Sequence, residues 1–147
     1  MEHLFFGHKD SMRVISAHLI LIFLLGGCTL TPLKQDSETM YIKGSALTKL
    51  SAAVEAAVHF DAPPDTLNDH DLLVLSTQDD PTLLEPFTEY LVKVNREFNH
   101  AILLVCNKEA TQGFLEDAGC SASMDSHLWQ RNVPCAFTLS SNVICAQ

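Results

Sequence analysis

An almost uninterrupted apolar run from Val14 to Leu25 decides which part of this chain can form a globular domain. The run follows the basic residue Arg13 and is closed by the small residues Gly26 and Gly27. A charged start, an apolar core and small residues at its end are the layout of a secretory signal peptide, and the run is too short for a transmembrane helix. The pattern therefore predicts that the remainder of the chain is exported. A buried core helix or strand and an uncleaved membrane anchor are the alternatives.

The signal ends in a cysteine, and the sequence Leu25-Gly26-Gly27-Cys28 resembles the lipobox of bacterial lipoproteins. The resemblance covers about residues 12–31, and the rest of the chain resembles no family that we can name. It implies that the signal peptide, within residues 1–27, is removed. Because Met12 and Arg13 form a compact basic start directly before the apolar run, we expect translation to begin at Met12. The resemblance also implies that Cys28 becomes the first residue of the mature protein, with a diacylglycerol thioether on its sulfur and a fatty acyl group such as palmitate on its amino terminus.

The resemblance implies a location as well as a modification. In such lipoproteins an aspartate after the cysteine often retains the protein in the inner membrane, whereas Thr29 follows it here. We therefore expect a lipid anchor in the outer membrane of the cell envelope, with the domain facing the periplasm. Two or more acyl chains hold a protein firmly in a bilayer, so the domain itself needs no membrane-binding surface.

The cysteines left after lipidation form an even set. The chain has five cysteines, and assigning Cys28 to the lipid leaves four for two disulfides in an oxidising compartment. These four are Cys106, Cys120, Cys135 and Cys145. None of them lies in a Cys-x-x-Cys motif, so neither a zinc ribbon nor a thioredoxin-type redox site is predicted. Three pairings are open, and we favour Cys120 with Cys135 and Cys106 with Cys145. A bridge between Cys135 and Cys145 across the predicted final hairpin is disfavoured, because directly opposed strand residues are often badly placed for a disulfide.

The mature chain is acidic and short enough for one small domain. The full sequence has 9 Lys plus Arg against 18 Asp plus Glu, which gives a formal net charge of −9. Nucleic acid and anionic lipid require clustered cations, so the composition argues against both as partners. Cationic protein partners remain open, and the acidity also favours solubility.

An α+β domain that follows a tether is the predicted organisation of residues 28–147. Residues 28–44 mix polar residues with one proline and no periodicity, which is typical of a flexible tether. From Ser45, apolar residues recur at helical spacing as far as Val58, and Ser45 is a suitable N-cap. We expect this N-terminal helix to end before Ala62-Pro63-Pro64. The single domain then spans residues 45–147.

A small antiparallel sheet or meander, stapled by the disulfides, is predicted beyond the helix. Its strands are expected at Asp71–Thr77, Phe87–Asn95, His100–Cys106 and Gly113–Asp117, with a final hairpin of Val133–Leu139 and Asn142–Cys145. A turn over residues 96–99 joins the second and third strands. Helical turns are expected after Thr82 and around Leu128. Two stretches stay open, since residues 87–98 and residues 109–118 also fit helical spacing.

One loop contains a dense cluster of residue types that can bind metal. Its members are His59, Asp61, Asp65, Asp69, His70 and Asp71. Carboxylates and imidazoles can bind a divalent cation, but the loop lacks the glycine and the terminal glutamate of a calcium-binding loop. We therefore predict a solvated acidic loop and no metal site. Asp79 and Asp80 are assigned to turn formation and helix capping.

Sequence motifs for catalysis are absent. There is no Gly-x-Ser-x-Gly, phosphate-binding loop, dinucleotide fingerprint or His-Glu-x-x-His. We therefore predict no catalytic residue and no cofactor, and we assign structural roles to His100 and His127. Glu116 and Asp117 are predicted to be surface charges on opposite faces of a strand.

Trp129, the only tryptophan, is a candidate interaction residue together with His127 and Arg131. Tryptophan and arginine contribute strongly to protein interfaces. Packing of Trp129 in the core against the disulfides is the alternative.

An anchor and disulfides without catalytic motifs predict a non-enzymatic cell-envelope lipoprotein. It would act as a structural or assembly accessory through contacts with an envelope protein. The alternative is an acidic inhibitor or immunity lipoprotein that neutralises a cationic enzyme at the cell surface, since opposite charge raises association rates. A third class is an enzyme or metal protein that uses the acidic loop.

Overall fold

A three-stranded antiparallel sheet organises residues 36–146, which are the residues that the computed structural model describes. The predicted signal peptide, Cys28 and the first part of the tether lie outside the described residues. The described part contains helices and this sheet, so the predicted α+β class is confirmed. Among the residues described, none of the helices combines the length and apolar character that crossing a membrane requires.

The first helix, α1, spans Ser37–Ala56. Its buried residues recur three or four positions apart, which places them on one face of the helix. They are Met40, Gly44, Leu47, Leu50, Ser51 and Val54. The helix begins before the predicted start at Ser45, and the assignment of residues 37–44 to the tether is wrong. The buried stripe extends back through Met40 and Gly44, and a glycine carries no apolar signal.

The end of α1 is widened into a single π-helical turn, Ala57–Asp61. Ala62 then adopts a left-handed backbone conformation with φ 44°, and the two prolines follow. Helical structure therefore ends before Ala62, as predicted, because a proline disfavours helical geometry in the residue before it. Isolated π-helical turns occur frequently at functional sites.

A second helix, α2, spans Asp69–Ser76, so the strand predicted at Asp71–Thr77 is wrong. The Asn68 side chain accepts a hydrogen bond from the backbone amide of Asp71 at 2.9 Å, which caps the helix. Two acidic residues in the first turn also favour a helix N-terminus. A short apolar run does not by itself distinguish a helix from a strand.

A 3-10 helix follows at Pro81–Phe87, which confirms the predicted helical turn after Thr82. Its cap is Asp80, whose side chain accepts a hydrogen bond from the backbone amide of Thr82 at 3.2 Å. The capping role predicted for Asp80 is therefore confirmed.

Three strands form the predicted meander, in the spatial order β1-β2-β3 with antiparallel pairing throughout. The helical alternatives over residues 87–98 and 109–118 are wrong. The first strand starts four residues later than predicted, because the 3-10 helix extends to Phe87. The strands are β1 (Leu91–Glu97), β2 (His100–Cys106) and β3 (Gly113–Ala118).

Strand β2 is central, and every residue from Ala101 to Cys106 is fully buried. Successive side chains of a strand point to opposite faces. One face contains Leu103 and packs with the buried stripe of α1. The other face contains Leu104 and packs on Leu128 and the C-terminal segment. A strand buried on both faces has a continuous apolar sequence, which explains why this element is predictable.

The C-terminal segment, residues 133–145, covers the second face without the predicted hairpin of Val133–Leu139 and Asn142–Cys145. One isolated bridge pairs Val133 with Gly113 of β3. The segment then ends in a short helix, α3 (Ser141–Ile144). The hairpin prediction is wrong because side chains and disulfides of the sheet, rather than a second strand, hold this segment.

Two disulfides connect the C-terminal segment to the sheet: Cys106–Cys135 and Cys120–Cys145. All four predicted cysteines are therefore paired, but the favoured pairing of Cys120 with Cys135 and Cys106 with Cys145 is wrong. The segment starts at Val133 beside Gly113, and Gly113 is the β3 residue that pairs with Cys106. It ends near Cys120, which follows the other end of β3. Cys135 consequently meets Cys106, and Cys145 meets Cys120.

Candidate functional site

Two imidazoles and a carboxylate meet where α1 ends and the β1–β2 hairpin turns. Glu55 lies in the last turn of α1, His59 in the π-helical turn, and His100 at the start of β2. Glu55 Oε1 is 2.5 Å from His100 Nδ1, and Glu55 Oε2 accepts a hydrogen bond from the backbone amide of Ala101 at 2.7 Å. One potential ligand atom of each side chain lies within 4.8 Å of those of the other two.

The two imidazole rings of this cluster are stacked, with centroids 5.7 Å apart and planes inclined by 25°. His59 Nδ1 lies 3.4 Å from the backbone carbonyl oxygen of Asn99. The side chains of Glu55 and His100 are 13% and 24% exposed, whereas His59 is exposed. The fold therefore holds the carboxylate in place and leaves the cluster open to solvent on the His59 side.

The turn beside this cluster has an unusual backbone. Phe98 and Asn99 have φ values of 54° and 61°, as in a two-residue type I′ hairpin turn, within the predicted turn at 96–99. Asparagine adopts positive φ readily, whereas a bulky residue does so rarely. Backbone strain of this kind concentrates at functional sites. The turn places the Asn99 carbonyl toward His59 and leaves Phe98 74% exposed.

A second exposed phenylalanine lies on the other side of His59. Phe60 is 80% exposed, and its ring is 4.8 Å from that of His59. A cleft of about 410 Å³ adjoins Phe98 and is lined by Val58, Ala62 and Arg96 among others. The Arg96 guanidinium donates hydrogen bonds to the backbone carbonyls of the loop after α1, at 2.9 Å for that of Asp65. Arg96 therefore holds the wall of the cleft.

The predicted acidic cluster is divided by the fold. Asp69 and Asp71 lie in the first turn of α2, and Asp65 lies 3.7 Å from the Arg96 guanidinium. Within residues 36–146, the close groups of ligand-type side chains include none of the aspartates of this loop. His59 alone joins such a group, and its partners are Glu55 and His100. The sequence signal for this group is the spacing of four between Glu55 and His59, which places both on one helix face.

A second group of ligand-type residues combines His100 with Cys120 and Cys145. These two sulfurs are joined in a disulfide, so they are not thiolates and do not act as metal ligands. The disulfide instead borders the imidazole of His100. The structural role predicted for His100 is compatible with its bond to Glu55, and the sequence analysis missed its proximity to His59.

The predicted interaction residues His127 and Trp129 form an aromatic group with Tyr41 of α1. The Trp129 ring lies 4.8 Å from that of His127 and 5.5 Å from that of Tyr41, centroid to centroid. Trp129 is half-buried and packs against the core, Tyr41 is 56% exposed, and Arg131 is exposed. The short helix Leu128–Gln130 confirms the helical turn predicted here. The interaction itself stays a prediction.

Glu116 is fully buried, so its prediction as a surface charge is wrong. Its carboxylate accepts hydrogen bonds from the backbone amide and the hydroxyl of Thr138 and from the backbone amide of Leu139. Charge-assisted hydrogen bonds are stronger than neutral ones and compensate the burial of the charge. The Glu116 carboxylate thus supplies the hydrogen-bond acceptors that a neighbouring strand would otherwise offer to the backbone of the C-terminal segment.

Asp117 is also fully buried, on the opposite face of β3, so the prediction of a surface charge is again wrong. Among the described residues, neither of its two carboxyl oxygens accepts a hydrogen bond. Burial raises the pKa of Asp117 to about 7, the nearby Ser51 hydroxyl opposes this shift, and the Asp125 charge adds to it. The opposite orientation of Glu116 and Asp117 follows the prediction from strand geometry.

Comparison with known proteins adds no relative. No family model, no curated protein and no solved structure matches the chain.

Replacing Asp117 with asparagine should change how stability depends on pH. The folded state holds the Asp117 proton up to about pH 7, whereas the unfolded state releases it near 3.8. Folding is therefore favoured at low pH, and this contribution is lost at about 1.4 kcal/mol per pH unit as pH rises through that window. We therefore expect the free energy of unfolding of Asp117→Asn, measured by urea unfolding, to increase relative to that of the natural protein as pH is raised from 4.5 to 7.5.

The matched control is Asp79→Asn, since Asp79 is an exposed aspartate. Its difference from the natural protein should stay constant over the same pH range. A constant difference for Asp117→Asn as well would contradict the raised pKa.

Proposed function

We propose that this protein is a lipid-anchored bacterial envelope protein that acts without catalysis, as a structural or assembly accessory through protein contacts. The observation that carries the proposal is the use of its five cysteines. Four form two disulfides within the folded domain, and the fifth, Cys28, closes the lipobox sequence. Disulfides persist in oxidising compartments, which agrees with export of the domain. Cys28 is then the cysteine that remains for lipid.

Exposed aromatic residues support a role in protein contacts. Phe60 and Phe98 lie beside the histidine cluster, and Tyr41 lies against Trp129. Aromatic side chains contribute much of the binding energy of protein interfaces. In the described part of the chain, all cysteine sulfurs are in disulfides, and the buried Glu116 is fully engaged in holding the C-terminal segment. These assignments favour binding over catalysis.

The acidic charge favours a second candidate, an inhibitor or immunity lipoprotein for a cationic enzyme. The net charge is −9, and exposed aspartates follow α1 at Asp61, Asp65, Asp71, Asp79 and Asp80. A negative surface accelerates association with a positive one, and salt weakens such an attraction. The two candidates therefore differ in the salt dependence of binding.

Lipidation is tested on the full chain expressed in a bacterium that processes lipoproteins. We expect the protein in the membrane fraction, with a mass that shows loss of everything before Cys28 and addition of acyl chains. Cys28→Ser should remain unprocessed, because the thioether cannot form. Cys120→Ser, which removes a sulfur from the folded domain instead, should still be acylated. Full-length, unacylated natural protein in the cytosol, with free thiols, would refute the proposed anchor.

Partner capture at low and high salt separates the two candidate functions. The accessory role predicts that envelope-machinery subunits are recovered at both salt concentrations, and that Phe98→Asn reduces this recovery. Asparagine suits the positive φ of that turn, so the variant should fold. Val143→Ser, at another exposed apolar position, is the control. Recovery of a single basic enzyme that is lost at high salt would favour the inhibitor instead.

A further inference from the structure

We propose that Glu55, His59 and His100 form a binding site for a divalent transition-metal ion, such as Zn²⁺ or Cu²⁺. The proposal rests on a convergence that the fold creates. The three side chains come from a helix end, a π-helical turn and a strand start, yet their ligand atoms lie within 4.8 Å of one another. The site is independent of the lipid anchor and of the proposed accessory role.

The chemistry of the donor set selects the kind of metal. Two imidazole nitrogens and one carboxylate oxygen suit Zn²⁺, Cu²⁺ and Ni²⁺. Ca²⁺ and Mg²⁺ prefer sites made of oxygen ligands, which this cluster does not offer. A carboxylate in the set also supplies a negative charge close to the ion, in a chain whose net charge is −9.

The fold orients two of the three side chains before any ion binds. Glu55 is held through Oε2 by the Ala101 amide, so Oε1 stays directed at His100. His100 is in turn held by Glu55 and lies on the rigid central strand. An ion that takes Glu55 Oε1 and His100 Nδ1 as ligands replaces their hydrogen bond and separates these atoms from 2.5 Å to about 3.3 Å, while the Ala101 amide keeps Glu55 in place.

His59 supplies the remaining movement that binding requires. Two ligands of a tetrahedral ion with bonds of about 2.0–2.1 Å lie about 3.3 Å apart, so atoms as far apart as 4.8 Å must approach by about 1.5 Å. His59 is exposed and in the π-helical turn, so rotation of its side chain can supply this movement. The Asn99 carbonyl near Nδ1 favours a proton there, and within the described residues Nε2 makes no hydrogen bond.

Three protein ligands leave a coordination position open. Structural zinc sites use four protein ligands, whereas sites with three retain a position for water or another molecule. The exposed side of the site lies at His59, between Phe60 and the Phe98 turn. Because His59 is exposed, a water molecule can reach the open position.

Metal titration of the full chain without a polyhistidine tag tests the proposal, in detergent and with the disulfides intact. We expect the natural protein to bind one Zn²⁺ per chain by calorimetry, and Cu²⁺ with a nitrogen-ligand signature in its electron paramagnetic resonance spectrum. His59→Ala removes an exposed ligand and should weaken Zn²⁺ binding at least about tenfold. Glu55→Gln should also weaken it, since a carboxamide is a poorer ligand.

The matched control is His70→Ala, which removes an exposed histidine from α2 outside this cluster. It should bind Zn²⁺ like the natural protein. Unchanged thermal unfolding of His59→Ala and His70→Ala would show that both variants fold. The proposal is overturned if the natural protein binds neither ion, if His59→Ala binds Zn²⁺ as the natural protein does, or if His70→Ala abolishes binding.

Discussion

The two disulfides determine how this small sheet becomes buried on both faces. Helix α1 covers one face of the three strands by ordinary apolar packing. The other face is covered by residues 133–145, which contribute one isolated bridge to the sheet and no strand. Such a segment gains little from backbone pairing. Cys106–Cys135 and Cys120–Cys145 hold it at both ends, and disulfides limit the entropy of the unfolded chain.

The contact between α1 and the end of β3 determines the position of the histidine cluster, which consists of Glu55, His59 and His100. A Cβ atom added at Gly119 would lie 2.5 Å from the Ser51 carbonyl oxygen, so only glycine allows the helix to approach this closely. This approach brings Glu55 over the start of β2, where it bonds to Ala101 and His100. The same packing buries Asp117 near Ser51. The cluster and the buried acid thus both depend on one close contact.

The parts of the fold that the sequence predicts are those set by local pattern. The helical stripe from Leu47 to Val58 and the continuous apolar run of β2 each reflect a surface buried in a regular way. The predictions that are wrong concern features set by tertiary contacts or by a single cap. An asparagine cap turns the run at Leu72 into a helix, and burial of Glu116 requires donors from Thr138, far along the chain. The disulfide pairing and the meeting of Glu55 with His100 depend likewise on how separate elements are placed.

Peptide mapping without reduction is the direct test of the covalent closure of the C-terminal segment. The protein should be isolated with free thiols blocked, and digested by a protease under non-reducing conditions. We expect linked peptides that contain Cys106 with Cys135 and Cys120 with Cys145, and no blocked thiol at these four positions. Free thiols there, or peptides that link Cys120 to Cys135, would contradict it.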